Sequence, residues 1–174
     1  GLGGSVGLTE RPTVTYSPLQ GNQFIQRVLT PLPLKNIALL YNSGWSIERI
    51  FRLCFQRMNN LTNAPGASGP TPKKAPNVKE FIKVTKYLRE LESLDALNLF
   101  FEKENDIPKI ILSISDEGKK LNVVQKFAKA INLKPGQKNY VIILSTKHNE
   151  PNQIKVVTRS LLGILFYLSQ GVEV

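Results

Sequence analysis

Two side chains in this sequence bring nucleophile and base chemistry within one chain: its single thiol, Cys54, and its single imidazole, His148. A thiol works as a nucleophile only with a base in hydrogen-bonding reach. Cys54 falls on the stripe Ile47, Ile50, Phe51, Cys54, Phe55 and Met58, whose spacing marks the buried face of a helix. A free Cys in such a place packs as a small hydrophobe. His148 sits between Lys147 and Asn149 in a polar turn running to Gln153. The sequence therefore reads Cys54 as core and His148 as a solvated turn residue. Acid–base work needs carboxylates that converge. The acidic groups Asp116-Glu117 and Glu102/Glu104 lie in or beside turns and carry no motif. One Cys cannot form an internal disulfide, and one Cys with one His cannot build a Cys/His zinc site. No phosphate loop, dinucleotide fingerprint, nucleophile elbow or zinc-helix motif occurs. The reading assigns no catalytic residue, no metal ligand and no cofactor.

Binding residues are easier to name. Thr158-Arg159-Ser160 falls where a strand passes into a helix. Free N–H groups and hydroxyls at such a place can receive an anion, with Arg159 adding charge. The plainer reading makes Ser160 a helix cap and pairs Arg159 with a local carboxylate. Arg49, Arg52, Gln56 and Arg57 share the polar side of the helix that carries Cys54, and could grip phosphates or an acidic partner. A solvated helix face is the plainer reading here too. The candidate contacts are thus Arg49, Arg52, Arg57, Arg159 and Ser160. The net charge of +10 favours polyanions in general. Its distribution is diffuse: residues 1–72 carry six basic and two acidic groups, and residues 73–174 carry 17 and 11. Aromatics interleaved with the bases, which single-strand binders use for stacking, are missing.

The elements that must hold these residues follow from periodicity. A Gly-rich start (1–10), without the basic and apolar regions of a signal peptide, leads to a short strand over Thr13–Tyr16. Phe24, Ile25, Val28 and Leu29 mark a first helix, and Leu34, Ile37, Ala38 and Tyr41 a second that Gly44 closes. A third is capped by Ser46, with Trp45 placed to staple against Ile50, and its stripe runs to Met58. Residues 59–77, with four prolines, read as a long loop holding neither helix nor strand. A helix restarts at Val78. Leu97–Lys103 and Lys109–Ser115 form a hairpin around Asn105-Asp106. Val123–Ile131 is helical, Tyr140–Thr146 is a central strand, and Ile154–Thr158 returns as its partner across the turn at 147–153. Ser160–Gln170 is a helix apolar nearly all round, which predicts burial. No apolar run approaches the ~20 residues of a bilayer crossing. Together these predict one α+β domain over 1–174: a mostly antiparallel sheet of four to five strands, with helices packed mainly on one side.

Thr15–Gly21 with Phe24 and Leu29-Thr-Pro31, then Ser43-Gly-Trp45, Asn63–Pro72, Thr158–Gly163 and Leu168–Val174 form a distinctive series along the chain. In that series the sequence resembles a family of uncharacterised bacterial envelope proteins, many of them predicted lipoproteins. The resemblance implies a periplasmic, outer-membrane-associated setting, with a lipid anchor outside this chain and further strand and helix beyond Val-Glu-Val174. No activity or catalytic residue comes with it. The expected function is non-enzymatic: contact with other envelope proteins, as a component of a secretion or surface assembly. The contact surfaces expected for it are the sheet edge and the 59–77 excursion. A basic nucleic-acid-binding module is the alternative the charge raises, and a hydrolase with an unrecognised site the second.

Overall fold

A computed structural model describes residues 21–64, 78–145 and 152–171. The Gly-rich start, the strand expected at 13–16, most of the Pro-rich excursion, His148 and the final Val-Glu-Val lie outside the described residues. Among the described residues, six α-helices and six strands are laid out in the order α1 (Gly21–Leu29), α2 (Leu34–Asn42), α3 (Ile47–Cys54), β1 (Phe55–Met58), β2 (Leu61–Thr62), α4 (Val78–Ser93), β3 (Leu97–Glu104), β4 (Ile107–Ile114), α5 (Asn122–Ala130), β5 (Asn139–Leu144), β6 (Gln153–Thr158) and α6 (Leu161–Ser169), with a 3-10 turn at Gly118–Lys120. The fold is α+β, with one mixed sheet in the order β2-β1-β6-β5-β4-β3.

Local chemistry accounts for most of these boundaries. Ser46 caps α3 by accepting the Arg49 N–H at 3.3 Å. Gly44, at φ +95°, gives the left-handed step that ends α2. Asn105 and Asp106 both take positive φ, the backbone of a tight hairpin turn, and so bring β3 against β4 from Leu97↔Ile114 to Glu104↔Ile107. The ion pair of Lys109 with Glu104 closes that end. Gly118 follows β4 where space is shortest: a Cβ there would fall 2.9 Å from both Ala96 Cβ and Ile114 Cγ2.

One core holds the molecule. Leu34 and Ile37 of α2, Ile50, Phe51 and Cys54 of α3, Phe81 and Leu88 of α4, and Val124 and Phe127 of α5 join it from the helices. Leu97, Leu99, Ile110, Leu112, Tyr140, Ile142, Ile154 and Val156 join it from one face of the sheet. Strand alternation sends their neighbours to the opposite face. There Phe100, Ile111 and Val141 lie side by side across β3, β4 and β5.

Three expectations need correction. The stripe ending at Met58 is not one helix: α3 stops at Cys54, and Phe55–Met58 continues as β1. Residues 59–77 are not wholly irregular, because Leu61-Thr62 pairs with Met58 and Arg57 as β2. Among the described residues the sheet has six strands, close to the four or five expected, but β6 returns beside β5 in parallel, with Ile142 opposite Ile154 and Leu144 opposite Val156. The segment between them, 145–152, is shorter than the dozen or so residues a parallel return ordinarily takes. It is still long enough to retrace a strand of about 20 Å, since an extended residue spans about 3.3 Å. The other four pairings are antiparallel.

Candidate functional site

The end of α3 explains where the arginines go. An α-helix leaves its last carbonyls without N–H partners, and here they are taken by residues remote in sequence. Arg159 follows β6 and is only 6% exposed. Its Nη1 donates to the carbonyls of Arg52 and Leu53, both at 2.9 Å, and its Nη2 donates to the carbonyl of Asn63. The Arg159 backbone N–H donates to the Cys54 carbonyl at 2.7 Å. Asn63, fully buried, adds two more bonds: its Nδ2 donates to Arg52 O at 2.8 Å and to Phe55 O at 2.9 Å. A cation at a helix C-terminus also meets the negative end of the dipole. These donors satisfy the carbonyls that a continuing helix would have given to residues 56–58, so the helix can end at Cys54.

The same residue hangs α6 on the body. The Arg159 guanidinium lies 3.8 Å from the centre of the Tyr167 ring, and Tyr167 is the buried side chain of α6. The Arg159 carbonyl accepts the Leu32 N–H at 3.0 Å, Thr158 Oγ1 donates to Leu32 O at 2.8 Å, and Pro31 bridges to Ser160. Burial pulls the guanidinium below its usual value, while the nearby Tyr167 and Cys54 act the other way.

The five residues expected to make contacts are therefore spread over different roles. Ser160 caps α6, accepting the Gly163 N–H at 3.0 Å. Arg159 points inward, and its partners are carbonyls rather than the local carboxylate of the plainer reading. Arg52 faces Glu48 of its own helix at 3.7 Å. Arg57 is on β1 instead of the helix, and its Nε donates to Asn59 O at 2.7 Å. Arg49 is exposed on the first turn of α3. The structure does not gather them into one cationic patch.

Cys54 is fully buried, as its place on the stripe implied. Desolvation pushes its thiol up to about 11, with Arg159 pulling weakly the other way. A reactive thiol needs the opposite shift. In the native protein Cys54 should resist alkylation at mildly alkaline pH and react fully once denaturant is added, as mass spectrometry of iodoacetamide-treated samples would read. The stability linked to this group is complete below the unfolded thiol's ordinary value. It should fall as pH climbs from there towards 11, because only the unfolded chain sheds the proton in that window. Among the described residues, no three His, Cys, Asp or Glu side chains gather as a metal would require.

Burial overturns one further expectation. α6 is not enclosed: Leu161, Leu162, Leu165, Phe166 and Leu168 are all exposed, Leu165 by 62% and Phe166 by 66%. α1 has no buried residue, and Phe24, Ile25 and Leu29 are more than half exposed. All-round hydrophobicity in α6 gave the wrong answer because only Ile164 and Tyr167 turn towards the protein. Composition reports a preference for leaving water, not whether this chain supplies the cover. An open cleft of about 570 Å³ lies beside these helices, lined by Gln23, Gln26, Arg27, Thr30, Asn36 and Leu161 among others.

No protein-family model matches the chain, and neither a curated protein nor a solved structure was found to be similar to it. No helix among the described residues is long and apolar enough to cross a membrane.

Proposed function

We propose that this chain is a non-enzymatic bacterial envelope protein that acts by contact with other proteins, as a component of a secretion or surface assembly. In this reading it sits in the periplasm at the outer membrane, through a lipid anchor outside this chain. The observation that carries the contact reading is the border of the sheet at β3. This strand is eight residues long and, among the described residues, pairs only with β4. A border strand presents backbone groups to which a second chain can add. Glu102, Lys103 and Glu104 guard one end of it, whereas Asn98 and Phe100 are exposed and uncharged, Phe100 by 41%. On the face away from the core Phe100 is followed inward by Ile111 and Val141, of which Ile111 is only 7% exposed.

A photo-crosslinking residue at Phe100, used in cells, tests this. A discrete adduct of defined mass is expected there, and none from the same residue at Gln125 on α5. Equal labelling at both positions, or no adduct at Phe100, would sink the reading. The nucleic-acid alternative has the charge of +10 in its favour. It requires affinity that falls steeply between about 50 and 200 mM salt, as released counterions dictate.

A further inference from the structure

We infer that the face formed by α1 and α6 is an interfacial membrane site, which lies flat on a bilayer containing anionic phospholipid. The inference is independent of the β3 border and of any lipid anchor. At 100° per residue, Leu161, Leu162, Leu165, Phe166 and Leu168 fall within an arc of about 160° on the outer side of α6. Ile164 and Tyr167 fall outside that arc, towards the protein. On α1, Phe24, Val28, Ile25 and Leu29 occupy one arc, and Gln26, Gln23 and Arg27 the other. α1 packs against α6 and brings no residue into the core. α1 thus has an apolar and a polar side, the pattern of a helix that rests in the plane of a bilayer surface, and α6 beside it turns five large apolar side chains to solvent.

Charge selects the occupant. No Asp or Glu occurs from Gly21 to Ile47 or from Asn152 to Gly171. Arg27 and Lys35 are exposed within the first stretch. The neighbouring α3 brings Glu48, which faces Arg52. Arg27 and Lys35 therefore have no carboxylate on α1, α2 or α6 to pair with. A surface of phosphates meets the same groups favourably, at about 1 kcal/mol per basic side chain. The polar side of α1 also opens onto the cleft, whose lining mixes amide, hydroxyl and guanidinium groups with apolar Pro31, Leu32, Pro33 and Leu161. Arg27 and the amides there can meet a phosphodiester headgroup.

Vesicle co-sedimentation with the full chain decides the matter. Binding is expected to phosphatidylglycerol/phosphatidylethanolamine vesicles and to be at least about tenfold weaker on phosphatidylcholine alone. Leu165→Ser with Phe166→Ser should weaken it by about tenfold or more, since both side chains leave water only on the bilayer. Phe24→Ser with Leu29→Ser, on the other helix, should act in the same direction, so misfolding of one variant does not decide the outcome. Arg27→Gln should cost about fivefold, and only on anionic vesicles. No sedimentation with phosphatidylglycerol at low salt would overturn the inference. So would binding that both double variants leave intact. A stable oligomer that Leu165→Ser with Phe166→Ser turns into monomers, without vesicle binding, would give the face to a second copy instead.

Discussion

Replacing Arg159 by Met should destabilise the protein by about 2–6 kcal/mol, because each buried group left without its partner costs roughly 1–3 kcal/mol. The guanidinium serves the carbonyls of Arg52, Leu53 and Asn63; with Met in its place the Arg52 carbonyl keeps the Asn63 amide, while those of Leu53 and Asn63 lose this donor. Met keeps much of the volume, so the loss reads out hydrogen bonding rather than a cavity. Swapping a buried ion pair for apolar residues can be harmless when both partners go. Here the acceptors belong to the backbone and stay. A shift of this size lowers the melting temperature by roughly 4–24 °C in a domain of this length. Arg159→Lys should recover only part of it, since one ammonium cannot match the planar fork. Urea unfolding checks the result, and a loss under roughly 1 kcal/mol would show the bonds to be incidental. The variant should also loosen α6, which hangs from the same side chain through Tyr167.

Asn63→Leu comes next, at about 2–4 kcal/mol. It removes the donors to Arg52 O and Phe55 O while leaving those carbonyls buried. Asn63 and Arg159 share the Arg52 carbonyl, and Arg159 also bonds the Asn63 backbone. Their effects should therefore not add. A double-mutant cycle by denaturant unfolding should give a coupling of about 1 kcal/mol or more. Strict additivity would mean that the two cap α3 independently.

What could be read beforehand follows from how local each signal is. Ser46, Gly44 and the Asn105-Asp106 turn act through their own neighbours, so the helix start, the helix end and the hairpin were legible. The end of α3 was not, because what stops it is a guanidinium about a hundred residues away. Periodicity ran on through Phe55 and Met58 since both are buried whether the backbone is helix or strand. The parallel return of β6 was hidden for a related reason: a polar segment of eight residues can make a hairpin or retrace a strand, and β1 on its other side helps decide. At the contact residues, the capping role of Ser160 was local and legible. Arg159 was not, since the acceptors it finds are main-chain atoms that no residue type announces. The exposed side of α6 was misread because hydrophobicity does not say who provides the shelter.

The position of β6 between β1 and β5 has a consequence for the growing chain. Residues 21–64 contain α3 with its open carbonyls and β1 with one true edge to fill, yet the segment that completes both emerges nearly a hundred residues later. At about 5–20 residues per second on the ribosome, that is a wait of roughly 5–20 s. The first third of the protein cannot finish before the last third arrives, so this fold closes after translation has passed Arg159, and any holding factor would act on the N-terminal helices during that interval.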